Sequence, residues 1–434
     1  MSIISAKIQS RFTQISSGES FWGAVARLML GGSVSHLITI AVSPIITRLY
    51  SPEQFSQAGV CISFAAIASV FITLRYEFAI VSAENSEESR RLFALTIALS
   101  APMSLLAAIV LWVISSYGVT EAAGSNLIYL VVLPFLMFFM SLQVALRQWR
   151  LSTSRYLGIG ASLLSQGVSK STSQVAFGLI QLGGVGLVAG EAIARMVGSY
   201  CLLICGPMEW TLLKKDLRPS ILWQVFKKHR DFPLLSLPSA ALNSIATNLP
   251  VPLLAYTYGP EAAGSYFLIR RAISIPMALM GQSVADVFHK SMAVQAANTP
   301  EKSLRFLDRT VVRLFAIGFL PALCAITLGP QAVTFVFGEA WELAAACTPG
   351  LAIWTLFQFS IGSISQTITV YRAFRFKLIY DAIVLVGSVA AIAGAQYAGV
   401  AVLPAINLLA AANVAAYLVY FLIMRHIVKT AASS

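Results

Sequence analysis

Five basic residues and one acid sit inside stretches that are otherwise apolar: Arg27, Lys170, Arg195, Arg270 and Arg271 against Glu191. An ionisable side chain midway along a membrane helix costs about 2.5–3.5 kcal/mol even on a lenient insertion scale, so each needs a reason to be there. Glu191 and Arg195 are spaced i, i+4 and can pair on one helix, which reads as a structural ion pair. Arg27, Lys170, Arg270 and Arg271 are harder to explain that way. Gathered round one water-filled cavity, they would make it electropositive. Such a cavity suits an anionic substrate, because arginine can fork onto phosphate. Snorkelling, or pairing with backbone carbonyls, is the competing account of each. Arg270 and Arg271 are adjacent and project about 100° apart on a helix, so at most one points to a cavity centre. Arg75, Glu77, Arg313 and Asp381 lie near helix ends, where long side chains reach water at little cost and anchoring is the simpler role.

Other chemistry is excluded. There is no H-E-x-x-H, no G-x-S-x-G, no phosphate-binding loop and no usefully spaced pair of carboxylates, so the chain reads as no enzyme. Cys61, Cys201, Cys205, Cys324 and Cys347 lie in or beside apolar stretches, at spacings that suit neither a zinc site nor a disulfide framework. The four histidines are scattered, so no metal is expected. No loop could hold an ATPase domain, which argues against ATP-driven transport by this chain alone.

The elements that must position these charges are membrane helices. Of 434 residues, 57% are hydrophobic and only 11% charged, where a soluble protein carries about 25% charged. The apolar residues come in stretches of about 20, the length that crosses a bilayer core. Twelve spans are expected, near 22–46, 54–80, 92–115, 127–146, 156–180, 184–204, 234–256, 262–284, 311–328, 344–369, 378–396 and 402–424. The odd-numbered loops hold only Arg48, while the even-numbered loops and both tails hold nearly all other loop Lys and Arg. The positive-inside rule then puts both termini in the cytoplasm. The net charge of +12 follows from this distribution and does not indicate nucleic acid. The expected fold is all-α and polytopic, with these divisions: an interfacial segment 1–20, a six-helix bundle 21–206, a basic cytoplasmic linker 207–232, a second bundle 233–425 and a tail 426–434. Ile4, Ile8, Phe12 and Ile15 share one face of the first segment, and the linker mixes Lys and Arg with Trp210, Leu213 and Phe226. Both read as surfaces on anionic lipid.

An internal duplication supports the two halves. Pro44–Glu53 and Pro252–Glu261 share P-[IL]-[IL]-x-x-x-Y-x-P-E, and a second match follows each: Asn85–Glu88 ending in Arg91-Leu92-Phe93, and Asn298–Glu301 ending in Leu304-Arg305-Phe306. A good helix–turn–helix connector explains each copy alone, with Pro and Glu opening the next helix. It explains less well why two markers recur in order. Two six-helix halves are a transporter layout, with the substrate path between them.

Gly31-Gly32-Ser33, the stretch S-P-I-I-T-R-L-Y-S-P-E-Q-F (Ser43–Phe55) and T-L-R-Y-E-F-A-I-V (Thr73–Val81) resemble the Wzx-type polysaccharide flippases. The resemblance is close over about the first 95 residues; beyond them mainly the number of spans and the loop pattern match. It implies the multidrug/oligosaccharidyl-lipid/polysaccharide exporter fold, two six-helix bundles in a V around a central cavity. It implies a bacterial inner-membrane protein that moves an undecaprenyl-pyrophosphate-linked oligosaccharide, such as an O-antigen unit for lipopolysaccharide, to the periplasmic leaflet by alternating access. Under it, Arg27, Lys170, Arg270 and Arg271 are the expected head-group residues, with Arg48 at the periplasmic mouth. Glu77 and Asp381 are the expected coupling residues for H+ or Na+. Besides membrane lipid, the expected partners are a polymerase and a chain-length regulator.

Two rivals share these features. A multidrug antiporter of the same fold takes cations and calls for an acidic cavity, against the basic excess seen here. An O-antigen polymerase calls for a large periplasmic loop, whereas the longest expected here, 329–343, is short.

Overall fold

A computed structural model describes residues 21–83, 85–116, 127–153, 156–206, 210–298, 300–371 and 373–433. The segment 1–20 lies outside them. The described residues form helices joined by turns. The first half contains α1 (Phe21–Leu49), α2 (Pro52–Ile72), α3 (Tyr76–Ser82), α4 (Ser86–Ser116), α5 (Leu127–Ser152), α6 (Tyr156–Leu179) and α7 (Gly184–Ile204). Two short helices follow, α8 (Trp210–Asp216) and α9 (Pro219–Lys228), then a π turn at Phe232–Ser236. The second half contains α10 (Leu237–Asn248), α11 (Pro250–Tyr258), α12 (Pro260–Asn298), α13 (Pro300–Thr327), α14 (Gly329–Phe337), α15 (Glu342–Gly362), α16 (Thr367–Val370), α17 (Phe374–Tyr397) and α18 (Val402–Ser433).

Nine helices among the described residues are long and apolar enough to cross a membrane. The expected spans outside that set are α6, the α10–α11 pair and α12. Their composition explains it: α6 carries Lys170 among many serines, prolines divide α10 from α11, and α12 carries Arg270 and Arg271. These are helices whose polar positions need a protein interior or water rather than lipid.

The duplicated markers fall at matching places. Pro52 and Pro260 each open a helix after a tyrosine-bearing turn. The stretch S-P-E-Q is a capping box, with Ser51 and Gln54 each accepting from the other's backbone. The two tyrosines do the same work: the Tyr50 hydroxyl donates to Gln174 O at 2.7 Å and that of Tyr258 to Val400 O at 3.2 Å. Each ties its turn to, or just beyond, the fifth span of its own half. The small residues of α1 also pack as their size predicts. A Cβ on Gly31 would lie 2.4 Å from Gly160 O, so α1 and α6 touch backbone to backbone.

Three expectations are corrected. The stretch 73–82 does not continue its helix: Leu74 (φ 49°) and Arg75 (φ 66°) are both left-handed, a strained break between α2 and α3. The segment 329–343 is a helix and a 3-10 turn rather than a loop. The basic linker does not simply lie on a surface. Leu213 and Val225 are buried with Tyr76, Phe93 and Leu202 of the first half, and the Tyr76 hydroxyl donates to Phe226 O at 3.1 Å. Buried Asp216 accepts from Arg90 Nε at 2.6 Å and faces Arg91 at 3.5 Å, while Glu88 holds Lys228 and His229. The linker thus belongs to the first half, and the chain passes to the second through the π turn. Asp216→Ala should cost about 2 kcal/mol, less than a fully buried pair because both arginines keep contact with water. Faster tryptic cleavage after Lys214 and Lys215, with the remainder intact, is the expected readout.

Arg150 lies between the expected spans 127–146 and 156–180, yet the helix Leu127–Ser152 extends past it. Arg150 is fully buried and donates to the carbonyls of Leu202, Leu203 and Gly206, closing the C-terminal end of α7.

Candidate functional site

The two halves share one core cluster, and each has a further cluster of its own. At the end bearing Ser51, one core cluster joins Ile46, Tyr50 and Phe55 to Val251, Leu254, Tyr266 and Trp341. Trp341 Nε1 donates to Thr47 O at 3.1 Å, and its ring meets that of Phe55 edge-on at 4.9 Å. Gly264 lies so close to α2 that a Cβ there would sit 1.8 Å from Pro52 O. At the linker end the cores part company: one cluster is built from the second half alone and another from the first half and linker. The two halves thus share one core, while two further clusters stay within the second half and within the first half with its linker.

Polar side chains gather on α5, α6 and α7. Glu191 on α7 is 8% exposed and receives Lys170 of α6 on one oxygen and Arg195 on the other, at 2.9 Å. Arg195 Nη1 donates to Gln143 Oε1 of α5 at 2.9 Å. From the other half, Arg271 on α12 comes within electrostatic reach of Glu191, Lys170 and His36 of α1. Lys170 and Arg195 remain 18% and 32% exposed. Among the described residues, the cations around this carboxylate outnumber it.

The expected Glu191–Arg195 pair is present, and Lys170 joins it. Arg270 goes elsewhere: its Nη2 donates to Gln358 Oε1 at 2.8 Å and its guanidinium lies 4.2 Å from the centre of the Trp354 ring. The adjacent arginines thus divide, Arg270 to the core of its own half and Arg271 to the cluster. Arg48 is exposed beside the Thr47–Trp341 contact. Arg27 lies on α1, and its side chain is outside the described residues.

Both coupling candidates are buried. Glu77 faces Arg75 at 3.6 Å, with Oε2 unpartnered among the described residues. Asp381 was expected in the first turn of its helix, but α17 starts at Phe374, which places it deeper. Its Oδ1 accepts from Asn243 at 3.0 Å and from Lys377, and its Oδ2 has no partner among the described residues. Gln143, Asn243, Trp354, Gln358 and Trp341 complete these sites without any advance sign, since uncharged polar and aromatic residues are common in membrane helices.

A family profile described as polysaccharide biosynthesis protein matches residues 45–346. The teichuronic acid biosynthesis protein TuaB of Bacillus subtilis (strain 168) is 28% identical over 171 residues, 38% of this chain and 34% of that protein. The alignment thus spans about a third of that relative's length. Among solved structures, an inward-facing multidrug resistance MATE family transporter of the MOP superfamily superposes with a TM-score of 0.68 at 14% identity, covering 95% of this chain and 99% of that one. The lipid II flippase MurJ in an inward closed conformation also gives 0.68, at 13% identity over 91% and 86%. A MOP superfamily transporter from Pyrococcus furiosus, described as having a binding pocket of reverse polarity, gives 0.60 at 16% identity over 94% and 96%. At these identities the likeness is one of fold, that of polytopic helical transporters.

Proposed function

Because this chain belongs to the polysaccharide biosynthesis protein family, we propose that it is a flippase for a lipid-linked oligosaccharide. The cargo is a repeat unit on undecaprenyl pyrophosphate, destined for O-antigen or another surface polymer; an acidic polymer such as teichuronic acid fits equally. The observation that carries this reading is the pairing of two cations, Lys170 and Arg195, on the single buried carboxylate of Glu191 inside the helices of the first half. A diphosphate cannot enter hydrocarbon unaided, and guanidinium and ammonium groups bind it by charge-assisted hydrogen bonds. The same excess of cations disfavours the drug-antiporter alternative, whose cationic substrates it would repel.

The positive-inside rule assigns the linker end to the cytoplasm of a bacterial inner-membrane protein, with both termini on that side. The packing of Trp341 and Phe55 beside Thr47 then lies towards the periplasm. Alternating access requires this contact to open once the head group is held. Arg48, exposed there, would meet the head group on its way out, and Arg27 on α1 would add to the cationic path. Glu77 and Asp381 are the coupling candidates: each is buried with one carboxylate oxygen unpartnered among the described residues, and Asp381 also lies beside Lys377 and Asn243. A polymerase and a chain-length regulator would receive the product.

A deletion strain tests the reading. Loss of surface polymer, with diphosphate-linked repeat units trapped on the cytoplasmic leaflet of inverted vesicles, is expected. Repeat units that reach the outer face unpolymerised would favour a polymerase; normal polymer with new sensitivity to cationic drugs would favour an antiporter. In vesicles carrying an imposed proton or Na+ gradient, Asp381→Asn should remove the gradient dependence of transport while leaving slow equilibration. A gradient response retained at wild-type strength would remove Asp381 from coupling.

A further inference from the structure

The proposed function leaves one group unaccounted for. Glu191 is an acid in a site that is to hold an anion, and it is the best-bonded member of the cluster. One carboxylate oxygen takes the Lys170 ammonium, and the other takes Arg195 through Nε at 2.9 Å and Nη2 at 2.9 Å. An ion pair made only to neutralise a helix would need one cation. Here two bind the carboxylate directly and Arg271 of the opposite half stands within reach, though it is not among the ion-pair partners of Glu191.

We propose that the Glu191 carboxylate is a built-in competitor for the phosphate oxygens of the cargo. In the empty protein it holds Lys170 and Arg195 in place. On loading, the diphosphate takes over Lys170 and part of the Arg195 fork. On release, Glu191 takes its partners back. Gln143 keeps Arg195 oriented throughout, through Nη1 at 2.9 Å. The exchange swaps one acceptor for another, so binding never gains the full strength of unopposed cations. A carrier needs this limit, since a site must bind well enough to load and weakly enough to unload.

This inference rests on the flippase reading, and one experiment separates the two. The full-length chain in lipid nanodiscs is titrated with farnesyl diphosphate, a short soluble polyprenyl diphosphate, and with inorganic pyrophosphate. Wild type should bind, and Glu191→Gln, which keeps the shape and removes the charge, should bind at least about tenfold tighter, equivalent to 1.4 kcal/mol. The same variant should translocate more slowly in vesicles, because release becomes limiting. Adding Lys170→Gln should abolish the gain in affinity. Equal or weaker binding by folded Glu191→Gln overturns the proposal, even if wild type binds. Should that variant fail to fold, Glu191→Asp decides: a carboxylate withdrawn by one methylene must give a smaller gain of the same sign, and unchanged or weaker binding overturns the idea. If neither wild type nor the variants bind either probe, the flippase reading falls and this inference with it.

Discussion

Gly264→Ala is expected to pry apart the two halves where α12 meets α2. The new methyl carbon would start 1.8 Å from Pro52 O, far inside any contact a real Cβ makes, and backbone atoms on the facing helix cannot step aside. Forcing an extra carbon into a packed interface costs about 1–3 kcal/mol, and more when the obstacle is backbone. Folding of each half is spared, because the contact lies between them. The strain therefore acts on the balance between closed and open forms, and 3 kcal/mol is roughly a 150-fold shift in that ratio. Trp341→Phe makes a milder companion: it keeps the ring against Phe55 and loses only the donor to Thr47 O. Spin labels at Ile45→Cys on α1 and Phe335→Cys on α14, both exposed, would read the separation of the two halves there. A longer distance in Gly264→Ala, with an intermediate distribution in Trp341→Phe, is the expected result. An unchanged distribution in a folded Gly264→Ala would mean that the contact between the halves does not depend on this approach.

Gly264 shows where reading the sequence stops. Its neighbours P-E-A-A-G were recognisable as the second copy of a marker, and the marker correctly placed a helix start at Pro260. Helix starts, helix order and the basic end follow from one-dimensional signals: capping residues, hydropathy and the count of Lys and Arg. Contacts between helices do not. Lys170 and Glu191 are 21 residues apart on different helices, and nothing in their local sequence links them. The i, i+4 spacing showed half of the cluster, the Glu191–Arg195 pair, and hid the other half. The break at Leu74–Arg75 was invisible for another reason: both residues have ordinary preferences, and only tertiary packing can hold two successive left-handed residues without glycine. The linker misled through composition. Its basic residues read as lipid-facing, yet they are interleaved with Leu213, Asp216 and Val225, which face the first half.

Arg270 and Arg271 carry the sharpest test of what rotation about a helix axis decides. The two are chemically identical and adjacent, and sequence reasoning could say only that both would not point the same way. Arg270→Gln should lower stability by about 2–4 kcal/mol, combining a lost charged hydrogen bond to Gln358 with a lost contact over Trp354. Whatever transport it loses should follow the loss of folded protein. Arg271→Gln should leave stability within about 0.5 kcal/mol of wild type, since its interaction with Glu191 is longer than an ion pair and the cluster keeps Lys170 and Arg195. Its transport should fall roughly 10–100-fold, the cost of one charge-assisted contact to the cargo. Thermal unfolding in nanodiscs and a vesicle transport assay on the same preparations read both quantities. If the two variants lose stability alike, Arg271 is a packing residue too, and the cationic site must be sought on α6 and α7 alone. If Arg271→Gln is stable and transports normally, the proposed diphosphate cargo does not bridge the two halves here. The expected contrast would establish that a single turn of about 100° separates a residue that builds its half from one that holds what passes between them.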